Sequence, residues 1–242
     1  MQYTTTIQLA GHIVQITHQY LQLRWVFRRY LSAEAPQLFL ELTQADIDAE
    51  REAAPEDFSE DFSEDSLERL AFHRKFCAAI ATEGQILFHA CAMEVEGKAY
   101  LFAAPSGTGK STHAFQWKRL FGERVRILNG DKPALGLENG QAMVYGTPYQ
   151  GKENWGYPGQ APIGGICFLR RGEENTIRPI SPSEAFPLAY IQLFRPSSPD
   201  LLAEAVQTLI AILHRVPLYA LHCNVSPEAA ILSYTTLTGE SL

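Results

Sequence analysis

The sequence predicts an α/β protein (an α+β mixed sheet), and three observations predict it. The stretch LFAAPSGTGKST, Leu101 to Thr112, reads as the end of an apolar strand, a tight Pro/Ser/Gly loop and the start of a helix. Downstream, strand-like runs alternate with helical patterns. Upstream, residues 1 to about 50 hold short alternating segments rich in β-branched and aromatic residues, which add strands of their own. At 242 residues the chain can bury a sizeable core, and 46% hydrophobic against 19% charged residues is the balance of a globular chain.

In order, strands are expected at Thr6 to Leu9, His12 to Ile16, Leu21 to Phe27 and Leu38 to Leu42, with His12 and His18 among them at no ligand spacing. PEDFSEDFSED, residues 55 to 65, has six acidic positions in eleven and is expected as a solvated loop; a flap that recognises a basic partner is the sharper alternative. A helix follows, capped by Ser66 and ended by Gly84, because Leu67, Leu70, Ala71, Arg74 and Ala78 recur at helical spacing. ILFHACAMEV, an EGK turn and AYLFAAP then form a hairpin whose second strand enters the Gly-rich loop.

After a helix from Ser111 to about Leu120, RVRILNGD reads as a strand ending in Asp131. A hairpin turning at Glu138-Asn139-Gly140 joins Ala134 to Leu137 with Met143 to Tyr145, since Asn-Gly favours that turn. Residues 146 to 162, GTPYQGKENWGYPGQAP, have no periodicity and are expected as a functional or mobile loop. Strands return at Ile163 to Arg170 and Thr176 to Ile180. The capping box SPSE, with Pro182 at the first helical position, opens a helix to about Phe194. A further helix from Ser198 to about Val216, the strand PLYALHC and a helix begun by Ser226 and Pro227 complete the chain.

Composition excludes several function classes. A net charge of −7 without a Lys/Arg cluster argues against a nucleic-acid surface. Cys77, Cys91, Cys167 and Cys223 are far apart with no C-x-x-C, and read as reduced core thiols. The first residues carry neither a cationic start nor a continuous apolar run, and no segment reaches the length of a membrane span. A cytoplasmic protein without membrane or nucleic-acid partners is expected.

The chemistry centres on the loop. Gly107 and Gly109 permit the positive φ values that turn backbone N–H groups inward at a helix N-terminus, which suits an anion. Lys110 adds a cation for β- and γ-phosphates, and the Ser111 hydroxyl is placed for Mg²⁺. Ser106, Thr108 and Thr112 complete the candidate nucleotide site, while Ala104 stands where the usual pattern has its first glycine. Asp131, at a strand end expected beside the loop, is the candidate metal carboxylate, with plain Asn-Gly-Asp turn chemistry as the alternative. His89, Lys152 and Glu153 are further catalytic candidates, each with an ordinary structural or surface reading beside it. Arg170 and Arg171 could neutralise a transferring phosphate or simply be surface charges.

Together these residues resemble the catalytic domain of HPr kinase/phosphorylase, whose fold is related to phosphoenolpyruvate carboxykinase. The resemblance runs from about Ile86 to Arg171 and more loosely beyond. SGTGKS matches that family's loop, and His89 stands fifteen residues before Ala104, as the family's histidine does before its loop. ILNGD corresponds to a strand that ends in two aspartates in the family; Asp131 matches the second and Gly130 replaces the first. In the family the first aspartate, with the histidine, activates the attacking group, so here the base is Asp131 itself, His89 or Glu153. The phosphorylase signature is not recognisable, and GTPxxGKE with LxRGEEN resembles an uncharacterised kinase-only branch, some members of which resemble kinases of peptide-modification clusters.

The resemblance implies a β-rich N-terminal extension with an acidic loop over residues 1–65 and an ATP-binding domain over 66–242. It implies an ATP- and Mg²⁺-dependent kinase of a serine or similar hydroxyl on a peptide or small protein, a modified peptide precursor included. A small-molecule kinase, and a nucleotide-binding sensor or partner-recognition module without turnover, stay open as alternatives, as does a homo-oligomer. Lys152 is expected to approach the γ-phosphate from the side opposite Lys110.

Overall fold

The structure is a computed structural model that describes residues 2–53 and 63–240. The described chain is a mixed α/β fold with two sheets. The smaller comprises β1 (Tyr3–Leu9), β2 (His12–His18) and β3 (Leu38–Glu41), with β2 central. β1 and β2 are antiparallel, and β3 runs parallel to β2.

Leu21 to Phe27 is not a strand. Leu21–Val26 is a helix, α1, and the physical reason lies in which apolar residues are covered. Leu23 and Phe27, one helical turn apart, are buried, whereas Leu21 and Trp25 are 53% and 66% exposed. A period-two apolar row thus splits into an inward and an outward helical pair. The turn before α1 is held by the buried carboxylate of Glu68, which accepts from the backbone N–H groups of Gln19 and Tyr20 at 2.5 and 3.1 Å.

α2 (Gln44–Ala53) follows β3 and buries only Ile47 and Glu50. Glu50 pairs with Arg74 on α3 (Glu64–Thr82). The N-cap of α3 is Ser63 rather than Ser66, so Glu64 and Asp65 of the acidic run form a first turn where carboxylates suit the helix dipole. The preceding part of that run, residues 56–62, lies outside the described residues. Leu67, Phe72, Phe76 and Ile80 bind α3 to the small sheet and to Leu87, Met143 and Tyr145 in one core.

The larger sheet contains β4 (Gln85–Leu87), β5 (Ala90–Val95), β6 (Lys98–Ala103), β7 (Val125–Asn129), β8 (Ala134–Glu138), β9 (Gln141–Tyr145), β10 (Gln160–Arg171), β11 (Thr176–Pro179) and β12 (Leu218–Cys223). Its main order is β4-β8-β9-β10-β6-β5-β7, with β12 between β10 and β11. The hairpin turns at Glu96-Gly97 and Asn139-Gly140 have positive φ at both residues, as tight two-residue turns require. Twelve-residue β10 pairs antiparallel with β9 at Gln160–Pro162, then parallel with β6 and with β12. Residues 160–162, expected within a loop, are therefore strand. The register shifts between Ile163 and Gly165, where a Cβ on Gly164 would stand 2.7 Å from the Tyr100 ring.

Helices cover both faces. α4 (Lys110–Phe121) and α7 (Pro227–Thr238) pack on one, through a core that includes Phe102, Trp117 and Tyr234. α5 (Pro182–Tyr190) and α6 (Pro199–Leu213) share the other core, with Leu101, Ile166 and Leu209. The capping box at Ser181 and Glu184 is formed, but α5 stops at Tyr190 instead of Phe194 and α6 at Leu213 instead of Val216. Strands buried on both faces explain the continuous apolar run of β6. The parallel strands β6, β10 and β12 deliver their C-terminal ends to one edge, where the 104–109 loop lies. No helix among the described residues is long and apolar enough to cross a membrane.

Candidate active site

Residues 104–109 leave β6 and enter α4 with Gly107 at φ 76° and Gly109, the N-cap, at φ 124°. A Cβ at either glycine would meet nothing within 4 Å, so backbone conformation rather than crowding calls for glycine. The Lys110 side chain is buried and folds back to donate from Nζ to the Ala104 carbonyl at 2.8 Å. Burial lowers its pKa, opposed by the nearby charge of Asp131. Arg171, at the end of β10, donates to the carbonyls of Gly107 and Thr108, and so ties the loop to the neighbouring strand. Arg170 is exposed and lines two adjoining hollows.

The loop forms one wall of a hollow of about 480 Å³. Ser106, Gly107, Gly109, Lys110, Ser111 and Thr112 line it from the loop and α4; His89, Gly130, Asp131, Lys152 and Glu153 line it from elsewhere. Thr108 instead borders hollows of about 540 and 360 Å³ beside the ends of β10 and β12. His89 does not lie on a paired strand, as expected, but in the one-residue break before β5. There Nε2 stands 3.2 Å from Asp131 Oδ1 and Nδ1 3.0 Å from Gln192 Oε1.

Asp131 lies two residues past β7, in a turn organised by Asn129. The Asn129 Oδ1 accepts from the N–H groups of Asp131 and Lys132 at 2.9 and 2.8 Å, and its Nδ2 donates to Thr147. Lys132 Nζ reaches Asp131 Oδ2 at 2.7 Å. Burial pushes the Asp131 pKa upward, but hydrogen bonds from His89 and Lys132 together hold it well below the ordinary carboxylate range. Lys132 carried no sequence signal beyond its adjacency to Asp131.

The 146–159 segment is tethered to β7 and the turn after it. Gly130 N–H donates to Trp155 O at 2.9 Å, Tyr157 N–H to Leu128 O at 3.2 Å, and Lys132 N–H to Tyr149 O at 3.1 Å. Only the tip, Gly151 to Asn154, is fully exposed as a turn, and it presents Lys152 and Glu153 to the hollow. A Cβ on Gly130 would lie 2.6 Å from the Gln150 carbonyl oxygen and 3.1 Å from that of Trp155. Backbone therefore occupies the space where a side chain at position 130 would begin.

No family model matches the chain, and no curated protein matches it by sequence. Among solved structures it is similar to the HPr(Ser) kinase/phosphatase from Coxiella burnetii, at 13% identity and a TM-score of 0.40, over 63% of this chain and 88% of that one.

Proposed function

We propose that this chain is an ATP- and Mg²⁺-dependent phosphotransferase that delivers the γ-phosphate to a serine or similar hydroxyl of a peptide or small protein. The observation that carries the reading is the convergence of the glycine loop, Lys110, Ser111 and the His89–Asp131 pair on one hollow. The inward-turned amides and Lys110 would bind the phosphates. Ser111 and Asp131 offer two oxygens to a metal, and no group of three or more His, Cys, Asp or Glu among the described residues forms a protein cage around one. That sparse set fits Mg²⁺, which keeps water and phosphate oxygens as its other ligands. When bound, the ion neutralises charge on the transferring phosphate.

The acceptor oxygen would form a bond to the γ-phosphorus as the bond to the ADP oxygen breaks, while the hydroxyl proton passes to a base. Asp131 is a poor base because two cations hold it ionised. His89 Nε2 is the better placed acceptor of that proton, and Asp131 then stabilises the imidazolium, as a carboxylate does beside a catalytic histidine. Lys152 would neutralise the γ-phosphate from the tip of the 146–159 segment, and Glu153 is the alternative base.

The test is transfer of radiolabelled γ-phosphate to a serine-peptide library. Label on peptide, lost in His89→Ala and retained in Glu153→Gln, is expected. A second reading, a nucleotide sensor without turnover, is favoured by Gly130, whose site admits no carboxylate. Nucleotide binding with no labelled acceptor would select it.

A further inference from the structure

We infer that Gln192 is a positioning residue that fixes the orientation and tautomer of His89; this rests on the phosphotransferase reading only for its kinetic consequence. Gln192 lies just past α5, only 3% exposed, and grips His89 twice. Its backbone carbonyl accepts from the His89 N–H at 2.9 Å, and its side-chain Oε1 lies 3.0 Å from His89 Nδ1. The grip belongs to a two-sided clamp on the break before β5. On one side Phe88 and Ala90 donate to the carbonyls of Pro133 and Asp131, each at 3.0 Å; on the other, Phe194 N–H donates to Leu87 O at 2.9 Å. His89 is thus pinned between the turn carrying Asp131 and the chain leaving α5.

A histidine's two nitrogens are inequivalent once one has a fixed partner. An amide oxygen can only accept, so Gln192 Oε1 requires a proton on Nδ1. Nε2 is then the nitrogen free to gain and lose a proton, and it faces Asp131 in the hollow. Without the amide oxygen, the Nε2–H tautomer gains the bond to Asp131, and the lone pair moves to Nδ1, away from that carboxylate. A partner of this kind, touching the ligand or base rather than the substrate, typically contributes about 10- to 100-fold.

The test compares Gln192→Leu, which removes the acceptor, with Gln192→Glu, which keeps one; neither disturbs the backbone bond. Nitrogen-15 spectra of the His89 ring in the nucleotide-free protein read the tautomer directly. Protonated Nδ1 is expected in the wild type and in Gln192→Glu, with a shift toward protonated Nε2 in Gln192→Leu. With a labelled peptide acceptor, kcat should fall about 10-fold or more in Gln192→Leu at unchanged KM for ATP, and recover in Gln192→Glu. Identical ring spectra in the wild type and Gln192→Leu overturn the assignment. A changed tautomer in a protein that labels no peptide overturns the phosphotransferase reading and leaves the positioning role standing.

Discussion

His89 Nε2 and Asp131 Oδ1 stand 3.2 Å apart, although the first belongs to the break before β5 and the second to the turn after β7. Lys132 Nζ approaches the other oxygen of the same carboxylate at 2.7 Å. Asp131 is consequently a fixed anion between two donors, and its role in the account is to hold charge rather than to exchange a proton.

Asp131→Asn preserves the shape of that side chain and removes its charge. It should abolish Mg²⁺-dependent phosphoryl transfer while the protein still binds nucleotide without metal. Equilibrium binding with and without Mg²⁺ checks this. An unchanged metal requirement in the variant would assign the ion elsewhere.

Gly130→Asp restores the second carboxylate of the resembled strand end, yet it should restore no function. Its Cβ would meet the Gln150 carbonyl at 2.6 Å, a backbone contact that no rotamer relieves. The 146–159 segment or β7 must shift, at a cost of about 2 kcal/mol or more. Chemical denaturation measures this as a lower midpoint, and a variant as stable as the parent would show that the segment yields easily.

His73 supplies a pH dependence away from the hollow. It is 4% exposed between the rings of Tyr149 and Phe194, and its Nε2 has no partner among the described residues. Burial foremost, then the charge of Lys132, lower its pKa from 6.5 to about 3. The unfolded chain therefore takes up a proton first as the pH drops, so stability from this group is complete above about 6.5 and declines toward 3. The slope reaches about 1.4 kcal/mol per pH unit at most. His73→Phe keeps a ring in the same slot and should flatten the curve of melting temperature against pH between those values. An unaltered curve would place the dependence at another group.

The strand–loop–helix around Lys110, the hairpins and the capped helix at Ser181 were legible because each is written in local chemistry: Gly at positive φ, Asn-Gly turns, a Ser-x-x-Glu box. The 21–27 helix was not, since its alternating Leu, Leu, Trp and Phe satisfy a strand period, and only the tertiary choice to bury Leu23 and Phe27 reveals the turn. α2 escaped because it buries one apolar side chain, Ile47, and relies on the Glu50–Arg74 pair. Within the hollow, residues were chosen from motif spacing. Gln192, more than a hundred positions from His89, and the backbone filling the space above Gly130 are products of packing that no local pattern encodes.

The central claim is that the loop opening α4 binds a nucleoside triphosphate, and thermal unfolding with and without ATP and Mg²⁺ tests it most directly. A ligand at one hundred times its dissociation constant stabilises the folded state by about 2.7 kcal/mol. The account predicts a stabilisation of that order for the wild type at millimolar ATP and Mg²⁺, and its loss in a folded Lys110→Ala variant. No stabilisation of the wild type, or an equal one in Lys110→Ala, would contradict it.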